Sequence, residues 1–168
     1  GQLDVLVNNA AQQWLDRGLE DLDEAFLRRL FDSNVMSYVF LTQAALPHLR
    51  EGASIIYTTS VNAFKGNAGL VAYTTTRGAS LALARSMANA LTPRGIRVNA
   101  VAPGPIWTPF IPGSMPAEKV AEFGANTPMG RAGQPWEVAT SYLFLASDDG
   151  NYFSGQCLHP NGGVVVNA

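Results

Sequence analysis

Charge is scarce in this sequence: 14% of its 168 residues are Asp, Glu, Lys or Arg, against about 25% in an average soluble protein. The 11 basic and 13 acidic residues leave a formal charge of −2 and no basic arm. That excludes nucleic acid and anionic membrane as expected partners. So little charge also predicts a surface partly covered by other subunits. Cysteine is almost absent. Cys157 stands alone, which excludes an internal disulfide framework and fits a reducing compartment. The two histidines, His48 and His159, show no ligand-like spacing to Cys157 or to carboxylates, so no metal site is expected. No apolar run approaches the roughly 18 to 20 residues that cross a bilayer. The opening apolar segment Leu3 to Val7 is too short, and lacks the basic leader, for a signal peptide. The expectation is a single cytoplasmic domain over residues 1–168.

What is present is a 47% hydrophobic chain with alternating strand and helix signals. Leu3 to Val7 reads as a buried strand closed by Asn8-Asn9. Asp21 to Phe31 reads as an amphipathic helix with Ala25, Phe26, Leu30 and Phe31 on one stripe. A second helix is expected over Val35 to Leu49, apolar on most sides. Gly52 is expected to break the chain before the β-rich run Ser54 to Thr59. A loop with Gly66 and Gly69 leads to a long helix over Ala72 to Leu91, ended by Pro93 and Gly95. Ile96 to Val101 reads as a strand stopped by Pro103-Gly104-Pro105. Residues 105–134, rich in proline and glycine, read as a lid. Pro135 starts a helix over Trp136 to Ala146, and a last strand is expected around Asn161-Gly162-Gly163. Strands separated by such helices predict an α/β fold with a parallel sheet. Its ligands then lie beyond the carboxyl ends of the strands, near Asn8-Asn9, Ser60 and Pro103-Gly104.

Tyr73 and Arg77 are four residues apart on the long helix and share a face. Ser60 ends the preceding strand, and Asn34 opens an earlier helix. A phenol exchanges protons near neutral pH when a nearby cation favours the phenolate. A serine hydroxyl beside it can hold a substrate oxygen, and an asparagine can anchor a relay water. Each residue alone has a duller reading: a satisfied buried tyrosine, a turn cap, a solvated helix charge. The ordered combination points to proton exchange.

With those residues the chain resembles the short-chain dehydrogenase/reductase family. Asn8-Asn9-Ala10 is similar to the family's Asn-Asn-Ala-Gly motif after the fourth strand. Asn34, Ser60 and Tyr73 match its catalytic Asn, Ser and Tyr in order, with Arg77 at the place of its lysine. Val98-Asn99-Ala100-Val101-Ala102-Pro103-Gly104-Pro105-Ile106 with Thr108 resembles the segment around the nicotinamide. Trp107 to Pro112 and Pro128 to Pro135 resemble an aldehyde-reductase and sugar-dehydrogenase branch. The resemblance implies the C-terminal part of a Rossmann-like doubly wound parallel sheet, with strands like the family's fourth to seventh. It implies an NAD(P)-dependent oxidoreductase acting on a carbonyl or alcohol substrate. Tyr73 is its general acid/base, Ser60 holds the oxygen, Asn34 keeps the relay water and Arg77 activates Tyr73. Asn9, Ala10, Tyr73, Arg77, Pro103, Gly104, Ile106 and Thr108 border the cofactor, with NADP favoured over NAD by the branch. It also implies a dimer or tetramer of like subunits.

The sequence departs from that pattern in three places. Arg77 keeps the positive charge of the family's lysine but is planar and cannot release its proton. Ala11 stands where the motif has glycine. No glycine-rich turn of the kind that cradles a pyrophosphate follows any strand. The chain therefore reads as part of an enzyme or as a truncated product. The alternative function is a catalytically inactive remnant acting only as an interaction or assembly subunit. On either reading, the 168 residues alone are expected to self-associate through an exposed strand edge and to bind nucleotide poorly.

Overall fold

The computed structural model describes residues 1–15 and 18–166. Strands β1 (Leu3–Asn8), β2 (Leu49–Thr58), β3 (Arg97–Val101) and β4 (Cys157–Leu158) form one parallel sheet in the order β1-β2-β3-β4. Helices α1 (Glu24–Phe31) and α2 (Ser37–Ala45) carry the chain from β1 to β2. Helices α3 (Asn62–Lys65) and α4 (Val71–Leu91) carry it from β2 to β3. The last crossover contains α5 (Ala117–Ala121) and α6 (Pro135–Ala146).

Side chains alternate across each strand and so build two cores. Ile55, Tyr57, Val98 and Ala100 face one side, where they meet Tyr38 and Ala45 of α2 and Leu81, Ala84, Ala88 and Leu91 of α4. Ile56 and Val101 face the other side and meet Val138 and Leu145 of α6. The sheet is thus covered on both faces at β2 and β3, while on the α6 side β1 leaves Val5 and Val7 partly exposed. Buried polar groups lock the layers together. The Arg97 guanidinium donates to the carbonyls of Leu145 (2.7 Å), Gly150 (3.1 Å) and Ser147 (3.2 Å), and the Ser54 hydroxyl donates to Leu145 O at 2.8 Å. These bonds tie the end of α6 and the turn after it to β2 and β3.

Several boundaries differ from the sequence reading. The first helix starts at Glu24, because the Asp23 carboxylate accepts from the N–H of Phe26 at 2.8 Å and caps it there. A separate 3-10 turn, Leu19–Asp21, precedes it. The segment expected as one helix over Val35 to Leu49 is a π turn (Asp32–Met36), then α2, then a 3-10 turn containing Pro47. Leu49 already belongs to β2. Proline has no N–H to continue a helical ladder. Gly52 does not break the chain; it sits inside β2 at φ +88°, where the β1–β2 register shifts between Leu3 and Val5. The loop with Gly66 contains the short helix α3. The final strand is Cys157–Leu158; Gly162 and Gly163 have φ of +75° and +93° and turn the chain instead. β1 is an edge of the described sheet, with Val5 and Val7 exposed by 38% and 41%.

Candidate active site

The carboxyl ends of β1, β2 and β3 open on one cavity of about 840 Å³. Its position follows from the ladder continuing past the strands: Thr59 N–H donates to Val101 O at 2.8 Å, and Val61 N–H to Pro103 O at 3.0 Å. Ser60 is therefore carried alongside Pro103 and Gly104. Gly104 is required there, since a Cβ would lie 2.6 Å from the Asn161 Cα. Asn9, Ala10, Ser60, Tyr73, Arg77, Pro103, Gly104, Ile106 and Thr108 all line this cavity. The fold brings together residues up to a hundred positions apart in sequence. Cavities of this size fall in the usual range for small-molecule and cofactor sites.

Ser60 Oγ accepts from the N–H of Asn62 at 3.2 Å, which leaves its hydrogen free to donate. Tyr73 and Arg77 lie one turn apart on α4, and Arg77 is fully buried. Its guanidinium carbon is 5.2 Å from the centroid of the Tyr73 ring and 5.6 Å from that of Tyr38. One terminal nitrogen donates to Thr58 O (3.1 Å) and the Tyr38 hydroxyl (3.3 Å), and the other reaches Asn34 O at 3.5 Å. Nε has no partner. The ion pairs among the described residues are Arg28–Glu24 and Arg131–Glu137, so two ring faces and carbonyl dipoles, not a carboxylate, surround this cation. Burial pushes the Tyr38 phenol up, against a smaller pull down from Arg77, so Tyr38 stays a neutral hydroxyl.

Asn34 does not line the cavity. Its carboxamide is fully engaged: Oδ1 accepts from Gln12 N–H at 2.8 Å, and Nδ2 donates to Gln12 O (2.8 Å) and to Thr76 Oγ1 (3.1 Å). The sequence reading gave Asn34 a relay water; in the structure its side chain clamps residue 12. Only its main-chain oxygen, within the π turn, faces Arg77 and the Ser80 hydroxyl.

Two neighbours of the site were not identified from sequence: Tyr142, which lines the cavity, and Tyr38, which does not. Tyr142 on α6 is hydrogen-bonded to Thr58 Oγ1 at 2.7 Å, which donates to Asn9 Oδ1 at 2.9 Å. Burial raises the Tyr142 phenol to about 12, so it remains the donor at the head of this chain. Tyr38, the second ring on Arg77, lies four residues after Asn34, a helical spacing that marked it as a neighbour. Trp107, half-exposed, stays outside the cavity. Arg77 lines the cavity and its Nε N–H is unpaired among the described residues; the cavity's size and the polar side chains of Asn9, Ser60 and Tyr73 on its lining fit the nicotinamide end of a nucleotide cofactor.

A family model described as Enoyl-(Acyl carrier protein) reductase matches residues 1–165. The chain belongs to the short-chain dehydrogenase/reductase family. This short-chain dehydrogenase/reductase is 59% identical over 169 residues to an NADPH-dependent aldehyde reductase 1, chloroplastic, of Arabidopsis thaliana, covering 100% of this chain and 59% of that protein. It is 56% identical over 167 residues to the glucose and ribitol dehydrogenase of Daucus carota, covering 99% of this chain and 57% of that one. A short-chain dehydrogenase from Burkholderia cenocepacia in complex with NADP superposes with a TM-score of 0.88 at 32% identity, over 97% of this chain and 66% of that one. The dehydrogenase/reductase chain thus spans under two thirds of the length of these relatives. Its sheet corresponds to the C-terminal part of their Rossmann-like fold. Among the described residues no helix is long and apolar enough to cross a membrane, and no three His, Cys, Asp or Glu side chains gather as metal ligands.

Proposed function

We propose that this chain carries the carbonyl-handling part of an NAD(P)-dependent oxidoreductase, with NADP as the cofactor. The observation that carries the reading is the placement of Ser60, Tyr73 and Arg77 on one cavity wall, with the guanidinium over the phenol ring. Bound nicotinamide supplies the hydride in reduction and takes it back in oxidation. In reduction the carbonyl carbon gains the hydride while the Tyr73 hydroxyl gives its proton to the oxygen. In oxidation both transfers run in reverse. Ser60 donates a hydrogen bond to that oxygen and fixes it beside Tyr73. The Arg77 guanidinium offsets the negative charge left on the Tyr73 oxygen. Asn34 O, Thr58 O and the Tyr38 hydroxyl hold Arg77 in place. Asn9, Ala10, Pro103, Gly104, Ile106 and Thr108 would border the cofactor, with Asn9 oriented by Thr58 and Tyr142.

The substrate class is a small aldehyde or its alcohol, in line with the aldehyde and polyol activities named for the relatives. The active assembly is proposed to be a homo-oligomer, supported by exposed Phe40 and Leu41 on α2. A single cysteine suits a reducing compartment such as the cytoplasm. The test is a chimera in which the N-terminal part of the Arabidopsis aldehyde reductase precedes this chain and supplies a phosphate-binding turn. NADPH-dependent reduction of short aldehydes supports the reading. A folded chimera that binds NADPH but reduces none of them contradicts it and favours the assembly-subunit alternative.

A further inference from the structure

Gln13 lies four residues beyond Asn9, in the segment that leaves β1. It is 6% exposed and lines the cavity. Its backbone neighbour Gln12 is held at both N–H and C=O by Asn34, so the side chain starts from a fixed point. Gln13 Nε2 donates to Ser114 Oγ at 2.9 Å, across 101 positions of sequence, and Ser114 belongs to the lid. The Ser114 hydroxyl itself donates to Phe110 O at 2.6 Å. A serine has one hydrogen to give. With that hydrogen committed to Phe110, Ser114 can only accept from Gln13, which settles which end of the carboxamide is nitrogen. Oε1 is left as an acceptor with no hydrogen bond to any described residue, on a side chain that borders the cavity.

We infer that Gln13 is a specificity-determining residue that accepts a hydrogen bond from a substrate hydroxyl, and that its amide nitrogen latches the lid over that substrate. The inference rests on the proposed oxidoreductase site and selects within it hydroxylated aldehydes and polyols over plain aliphatic ones. An amide oxygen on a cavity wall gives up its water when a ligand fills the cavity, so it must regain a donor from that ligand, and a ligand without one leaves it unpaired. Sites that hydrogen-bond a substrate hydroxyl reject the analogue lacking it far more strongly than apolar pockets reject a methylene. The two halves of the carboxamide also have separable roles: Nε2 serves the lid, and Oε1 serves the ligand.

The test uses the full 168-residue chain with two ligands of one carbon skeleton, erythritol and butanol, whose binding is read by ligand-observed NMR. The unaltered chain is expected to prefer erythritol. Gln13→Leu should lower erythritol binding by about tenfold, the size of one well-placed hydrogen bond, while butanol binding holds or rises. Gln13→Glu keeps an acceptor and should keep the preference, even if the leucine variant fails to fold. Ser114→Ala should retain the preference and raise hydrogen exchange at the amides of residues 109–116, reporting the latch alone. Equal loss of both ligands in Gln13→Leu, or no change in their ratio, overturns the inference. Absence of aldehyde reduction in the chimera, with the erythritol preference intact, strikes only the reading of the activity.

Discussion

The Arg77 guanidinium lies 5.2 Å from the centre of the Tyr73 ring, one helical turn away and wholly out of solvent. A buried cation without a carboxylate is expensive to hold. Here its terminal nitrogens are spent on Thr58 O, the Tyr38 hydroxyl and Asn34 O, which makes it a fixed charge and not a mobile ligand hook. Charge delivered to Tyr73 and rigidity of the wall are two effects of the same arrangement.

Replacing Arg77 by lysine separates those effects. A lysine ammonium is compact, carries the same charge and vacates part of the room the guanidinium fills. The Asn34 carbonyl would then be open to a water, which a relay can use. In the chimera, Arg77→Lys is expected to raise kcat several-fold, whereas Arg77→Met should lower it by at least about a hundredfold. An unchanged or lower kcat for the lysine variant would mean that the guanidinium is an adapted part of the site.

Asn34→Ala removes both clamps on Gln12 and leaves a main-chain N–H and C=O without their partners. Gln12 is exposed, so water takes up part of these bonds, and a loss of about 1 kcal/mol is expected in urea unfolding. Hydrogen exchange should rise over residues 9–13 in the same variant. A loss below about half that figure would show the clamp to be dispensable.

Where residues 105–134 meet α6, Glu137 accepts from Arg131 at 2.6 and 2.8 Å and from the N–H of Gln134 at 2.8 Å. These bonds, the Arg131 side chain first, lower its carboxyl from an ordinary 4.5 to about 2. A carboxyl depressed in the folded state favours folding above its ordinary value, and that contribution fades as pH falls from there through about 2. An NMR titration should show Glu137 still ionised at pH 3. A midpoint near 4.5 would remove this anchor from the account. The pair is exposed, so added salt should weaken it.

Cys157 is half-buried beside β3, and burial pushes its thiol up to about 12. Alkylation by iodoacetamide at pH 8 is expected to be slower than for a free thiol by at least about tenfold, since the thiolate is the reactive form. Reaction at the free-thiol rate would place Cys157 in solvent.

Strand and helix order could be read directly from the sequence because the apolar periods are strong: β1, β3, α4 and α6 begin within a residue or two of the expected positions. Ser60, Tyr73 and the Pro103-Gly104 turn were legible as strand-end and helix-face residues, and they meet at one cavity. What was not legible depended on tertiary contacts. Pro47 and the π turn cut the expected second helix, and a π turn has no sequence period of its own. Asn34 was found as a residue but not as a clamp, because Gln12 reaches it only through the fold. Gln13 meets Ser114 and Tyr142 meets Thr58 across 101 and 84 positions, distances over which no local spacing gives a signal.

The most direct test of the account is Tyr73→Phe in the chimera, followed by NADPH fluorescence titration and aldehyde turnover. Phenylalanine keeps the ring under Arg77 and removes only the proton-exchanging oxygen. The account predicts nucleotide affinity within about twofold of the parent and turnover lower by at least about a thousandfold, the range a lone acid/base group commands. Turnover within tenfold of the parent would contradict it.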